Sequence, residues 1–113
     1  MNSTEFDKGK AFIVVEILEY IPNSVVLKTI IRKTTGNVTA ASFDTGESLI
    51  GRLSDCDNFI QVIEGRAEII IDEKSTLLET GQSIIIPANT PNTIKANERF
   101  KMLSTIIKSD CDD

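Results

Sequence analysis

At 113 residues, 41% apolar and with a formal net charge of −5, the chain is long enough for one domain with its own buried core. The acidic balance lacks the basic face that nucleic-acid binding requires, and five phenylalanines with one tyrosine and no tryptophan are too few for base-stacking platforms. There is no histidine, which excludes serine–histidine hydrolysis and every metal site built on imidazole.

Seventeen isoleucines set the structural bias. Their branched β-carbons suit a pleated surface, so the composition predicts strands. The N-terminal run Ala11–Val15 ends at Glu16, too short for a secretory core and without a small-residue cleavage site. No stretch has the length of a transmembrane helix, so no membrane association is expected and the expected location is cytoplasmic. Phe12–Tyr20 is the one segment that reads as helical, against the preference of its β-branched residues. It is followed by short apolar runs separated by turn signals: 24–32, a turn at 33–37, 38–43, and a turn at Asp44-Thr45-Gly46. Phe59–Ile63 reads as a strand packed on both faces, closed by a turn at Glu64-Gly65; 67–71, the polar tip 72–75 and 76–79 form a hairpin. Thr80-Gly81 turns the chain, 83–86 ends at Pro87, and Pro91 marks a loop. Strands at 93–96 and 100–107 complete the chain.

Many short strands with Gly and Pro turns predict a closed or sandwiched all-β fold. No repeat or second domain is visible; residues 1–113 read as one domain, with ends at 1–10 and 109–113 expected to fray. Cys56 and Cys111 lie half the chain apart, the latter in an acidic tail, and reduced thiols are the expectation.

Two spaced blocks stand out. The first runs Gly46, five residues, Arg52, one, Ser54, three, Asn58, six, Gly65. The second runs Gly81, five residues, Pro87, one, Asn89, two, Asn92, three, Ala96. Together with the phrases 62–68 and 86–92, these resemble the paired motifs of the cupin superfamily, whose members are small antiparallel β-barrels of jelly-roll type. The resemblance covers about residues 25–107 and implies that fold. Pro87–Asn92 and Glu98–Leu103 are most similar to phrases in small stand-alone bacterial cupins, a group with no shared activity to carry over.

In that family the first motif supplies two histidines and a glutamate, and the second a histidine, as metal ligands. The matching positions here are Arg52, Ser54, Asn58 and Asn92. Arginine is a permanent cation with no lone pair, and hydroxyls and amides are weak ligands, so this set predicts no transition metal and no cofactor. Strand alternation puts residues 52 and 54 on one face, the barrel interior if the resemblance holds. Arg52 would then clamp a carboxylate or phosphate, or else pair with Glu47, Asp55 or Asp57. Ser54, Asn58 and Asn92 would offer neutral hydrogen-bonding groups to a ligand, or else bond to one another around water. Asp55, Asp57 and Glu47 admit a hard-cation site, without the glycine-punctuated pattern of known calcium loops. Cys56 reads as a reactive thiol or as a plain free cysteine.

The sequence therefore points to a metal-free barrel that binds a small polar or anionic molecule, as a binding or regulatory module. The alternatives are a metal-independent isomerase or lyase and a structural dimer subunit with a degenerate site. The enzyme would need a base, and Tyr20 lies outside both blocks. Cupins often form homodimers through sheet packing and exchange of N-terminal strands, and the apolar Phe12–Leu18 segment suits that role.

Overall fold

The β-branched run Val25–Lys33 (β1) and Gly36–Phe43 (β2) pair as an antiparallel hairpin across Thr34-Thr35. The protein is described by a computed structural model covering residues 6–51 and 53–108. Six further strands follow: Ser48–Gly51 (β3), Asn58–Ile71 (β4), Lys74–Glu79 (β5), Ser83–Ile86 (β6), Asn92–Lys95 (β7) and Phe100–Ile107 (β8). All pairings between them are antiparallel.

One strand belongs to both sheets. Residues 58–65 of β4 lie between β6 and β8 in a sheet that continues through β2 to β1. Residues 66–71 pair with β5, and 68–71 with β7, in a second sheet that ends at β3. The two sheets curl into a small antiparallel barrel of jelly-roll type.

The turn expected at Glu64-Gly65 is not there: β4 passes through it as 14 continuous residues. The physical reason is a bulge. Register against β8 shifts between Val62 and Glu64, and Gly65 at φ +91° bends the strand from one sheet to the other. A Cβ at Gly65 would lie 2.5 Å from the Arg99 carbonyl oxygen, so the bend depends on glycine both in dihedral and in space.

Phe59–Ile63 also differs from expectation. Ile60 and Val62 are buried, but Phe59 is 39% exposed, so the segment alternates rather than packing on both faces. Strand β3 was not apparent in the sequence. The Phe12–Tyr20 segment is not a regular helix; only Val14–Glu16 makes a single 3₁₀ turn.

Between the sheets, Phe43 and Phe100 are directly paired across β2 and β8 and stack at 4.5 Å between ring centroids. Ile60, Val62, Ala67, Ile69, Leu78, Ile94 and Met102 complete the core around them. Burial of these side chains contributes about 1.5–3 kcal/mol for each of the large ones, the main favourable term in the fold.

The N-terminal segment covers the outer face of β2 and β8. Leu18 is buried, Ser42 Oγ donates to the Glu19 carbonyl at 2.8 Å, and Lys101 Nζ donates to the Val15 carbonyl at 2.7 Å. This explains why Ala40, Ala41 and Ser42 are all buried on consecutive, opposite faces. Further upstream the Phe6 N–H donates to the Ile30 carbonyl at 3.2 Å, and the Phe6 ring stacks on Phe12. No helix among the described residues is long and apolar enough to cross a membrane.

Candidate functional site

At one end of the barrel, beyond the packed core, the two sheets leave a cavity of about 170 Å³. Its polar wall is Ser54, Asn58, Thr90 and Asn92, and its apolar wall includes Ile86 and Ile106. Three of the four positions singled out in the sequence thus come together. Arg52 lies outside the described residues, as does any pairing of it with Glu47, Asp55 or Asp57.

Each polar side chain is held by its own local device. Asn58 opens β4 between Ile86 of β6 and Ile106 of β8, and its Oδ1 accepts the Ser104 hydroxyl at 2.6 Å. Asn92 opens β7, and its Nδ2 donates to the Thr90 carbonyl at 3.0 Å. Gly51, its partner on β3, has no side chain, and a Cβ there would overlap the Asn92 Oδ1. Asn92 therefore lies flat across a gap that only glycine provides.

Ser54 reaches the cavity differently from expectation. Strand β3 ends at Gly51, so no strand alternation governs residue 54. The loop places it instead: Ser54 Oγ accepts the Cys56 N–H at 3.0 Å, and its carbonyl accepts the Asn89 N–H at 2.7 Å. Asn89 stands at φ 58°, in the left-handed region that asparagine tolerates, and Asp57 Oδ1 accepts the neighbouring Ala88 N–H at 2.8 Å. These bonds join the 53–57 and 87–91 loops at the rim of the cavity. Among the described residues, Ser54, Asn58 and Asn92 bond to these other groups rather than to one another.

A metal of the kind cupins carry does not fit this donor set. Asn58 Oδ1 is engaged by Ser104, Asn92 turns an N–H donor toward its own loop, and no carboxylate is among the described residues that line the cavity. The hard-cation alternative gains no support either. Asp57 is committed to Ala88, and no three of His, Cys, Asp and Glu converge among the described residues.

Cys56 corrects an expectation. It lines the cavity and is disulfide-bonded, not a free thiol. Gly51, Thr90 and Ser104 were missed in the sequence. Gly51 falls between two apolar residues and carries no sign of its partner, whereas Thr90 lies inside the second block and was there to be found.

Charged residues gather elsewhere, on the outer face. Tyr20 donates to Glu64 at 2.6 Å, Lys101 Nζ is 3.7 Å from the same carboxylate, and Arg99 and Lys101 lie 5.1 and 4.9 Å from the Tyr20 ring centre. Burial, then the Glu64 carboxylate, raises the Tyr20 pKa well above its usual value. This cluster fastens the N-terminal segment and does not reach the cavity.

The cupin-domain family model matches residues 54–106, which include both loops of the rim. No curated protein matches the chain significantly. Among solved structures, a conserved protein of unknown function from Streptococcus pyogenes is 25% identical, with a TM-score of 0.85 over 93% of this chain and 92% of that one. A cupin 2 conserved barrel domain protein from Leptotrichia buccalis is 32% identical, with a TM-score of 0.82 over 86% of this chain. The match covers 47% of that protein, so the chain spans about half its length. A cupin superfamily protein from Desulfitobacterium hafniense, 21% identical, shares the fold with a TM-score of 0.84 over 91% of this chain and 94% of its own. Barrel, motif spacing and family match agree: this chain is a small cupin-domain protein.

Proposed function

We propose that the chain is a metal-free cupin barrel that binds a small polar or anionic molecule at the end of the barrel, as a binding or regulatory module. The observation that carries this reading is the cavity itself, with four neutral polar side chains set against an apolar wall. Its size limits the ligand. A closed cavity of ~150 Å³ admits a benzene-sized molecule, so the part of a ligand held inside this one is limited to about six to ten non-hydrogen atoms. An anionic ligand would draw on Arg52, which follows Gly51 directly in the sequence.

Binding is favoured over catalysis by the lining. No carboxylate, lysine or tyrosine is among the described residues that line the cavity, so no general acid or base stands within hydrogen-bond reach of a ligand there. A fragment screen by NMR tests the reading. Compact polar fragments should shift the side-chain amide signals of Asn58 and Asn92 and lose binding in Asn92→Leu. A library that perturbs neither amide overturns it.

One observation favours a homodimer in addition. Strand register pairs Ile85 of β6 with Phe59 of β4 on the outer face of the larger sheet. Ile85 and Phe59 are 58% and 39% exposed, an apolar pair suited to sheet-on-sheet packing with a second copy. Light scattering should give the mass of a dimer for the wild type and of a monomer for Phe59→Lys/Ile85→Lys. A monomeric wild type would rule the dimer out.

A further inference from the structure

Asn58, Thr90 and Asn92 on the cavity wall have their hydrogen-bonding directions set by their neighbours. A carbonyl oxygen can only accept, so the Asn92 bond to the Thr90 carbonyl fixes Nδ2 on that side. Oδ1 is thereby turned the other way, over Gly51, which lines the same cavity. Asn58 is set in the reverse sense: its Oδ1 accepts the Ser104 hydroxyl, which leaves the Nδ2 hydrogens as donors. Thr90 gives its hydroxyl proton to the Ala88 carbonyl at 3.1 Å, so toward a ligand its Oγ1 can only accept.

Among the described residues, Asn58 Nδ2 and Asn92 Oδ1 have no hydrogen-bond partner, and no buried side-chain nitrogen or oxygen is left unsatisfied. Both atoms are therefore open to an incoming group. The wall offers that group the N–H donors of Asn58 and the lone pairs of Asn92 Oδ1 and Thr90 Oγ1. A carboxylate or phosphate supplies acceptors alone. Its charge would meet those lone pairs and the apolar Ile86 and Ile106, so its lost hydration would not be replaced there. A neutral amide carries both halves on adjacent atoms, a carbonyl that accepts and an N–H that donates.

We propose that the cavity selects a neutral amide edge, as in a primary amide or a lactam, whose carbonyl accepts from Asn58 Nδ2 and whose N–H donates to Asn92 Oδ1. The inference rests on the reading of the cavity as a ligand site and narrows its polar or anionic ligand to a neutral one. A ligand without the N–H covers Asn92 Oδ1 and leaves it unpaired, so a ketone of the same shape is rejected. Ile86 and Ile106 take up the hydrocarbon part of the ligand.

The test is NMR titration of the full chain with matched fragments, followed at the Asn58 and Asn92 side-chain amide signals. The lactam 2-piperidone should bind at least about tenfold tighter than cyclohexanone, the ring of the same size with the carbonyl but no N–H. Isobutyramide should exceed isobutyrate at neutral pH by a similar factor of about ten. In Asn92→Ala the lactam and the ketone should come within about threefold of each other, because the acceptor that tells them apart is gone. Tighter binding of isobutyrate, equal binding of lactam and ketone by the wild type, or a preference kept in Asn92→Ala would each overturn the proposal and leave the cavity a ligand site. Silence from every fragment overturns the ligand reading, and the proposal with it.

Discussion

Gly51 and Asn92 face each other across the β3–β7 pair, and the Asn92 side-chain amide occupies the space where a Cβ on Gly51 would be. Cavity shape thus depends on a residue with no side chain. Gly51→Ala should destabilise the protein by about 1–3 kcal/mol through this overlap, read from urea denaturation. Adding Asn92→Ala should recover most of the loss, because the colliding group is gone. Additive losses in the double variant would contradict the account.

Gly65 makes a sharper demand, since its φ of +91° and the Arg99 carbonyl oxygen, 2.5 Å from where a Cβ would stand, act together. Gly65→Ala should cost more than about 2 kcal/mol. The two-residue turn of β4–β5 offers the converse. Asp72 and Glu73 both have positive φ, at 49° and 73°, the geometry of a tight hairpin usually occupied by glycine or asparagine. Glu73→Gly should stabilise by about 1 kcal/mol, and a loss of stability would contradict the turn described.

Acid should weaken the fold through two carboxylates. The Asp44 carboxyl is held below its usual pKa by the Asn23 N–H, then by Arg99 and the Thr45 N–H. Ser75, then Asn97, does the same for Glu68. Both groups bind protons more tightly in the unfolded chain. Their contribution is therefore whole above about pH 4.5 and is lost as pH falls through the lower folded values. The urea midpoint should drop between about pH 5 and pH 3, with a flatter slope in Asp44→Asn/Glu68→Gln. An unchanged slope in that variant would assign acid loss to other groups.

Alkali acts through Tyr20, in the opposite sense. Its pKa is raised on folding, by burial and then by Glu64, so the unfolded chain loses the proton first. Stability is whole below the ordinary tyrosine value near 10 and falls as pH rises above it. Tyr20→Phe should cost about 1 kcal/mol at neutral pH and weaken this alkaline dependence. Hydrogen exchange at 14–20 should rise in the same variant if the Tyr20–Glu64 bond fastens the segment.

Much of this architecture was legible in the residues. The run Phe100–Ile107, a hairpin tip within 72–75 and the left-handed positions Gly65, Gly81 and Asn89 follow from strand preference and turn chemistry, which are local; the structure narrows the tip to Asp72 and Glu73, with Lys74 and Ser75 paired in β5. What was not legible is long-range. Gly65 reads as a turn because a glycine after a strand usually is one. Only the pairing of β4 with four other strands makes it a bulge. Likewise Asn58, Asn92 and Ser54 could be named from motif spacing, but Gly51 and Ser104 became meaningful only once β3 met β7 and β4 met β8.

The central claim is that amides and a hydroxyl at Ser54, Asn58 and Asn92, where cupins place metal ligands, make a cavity that holds no transition metal. Its most direct test is metal analysis of protein expressed in medium supplemented with zinc, iron, manganese and nickel and purified without chelators. The account predicts less than about 0.1 equivalent of any of these metals per chain. About one equivalent that survives dialysis and disappears in Asn58→Ala/Asn92→Ala would contradict it.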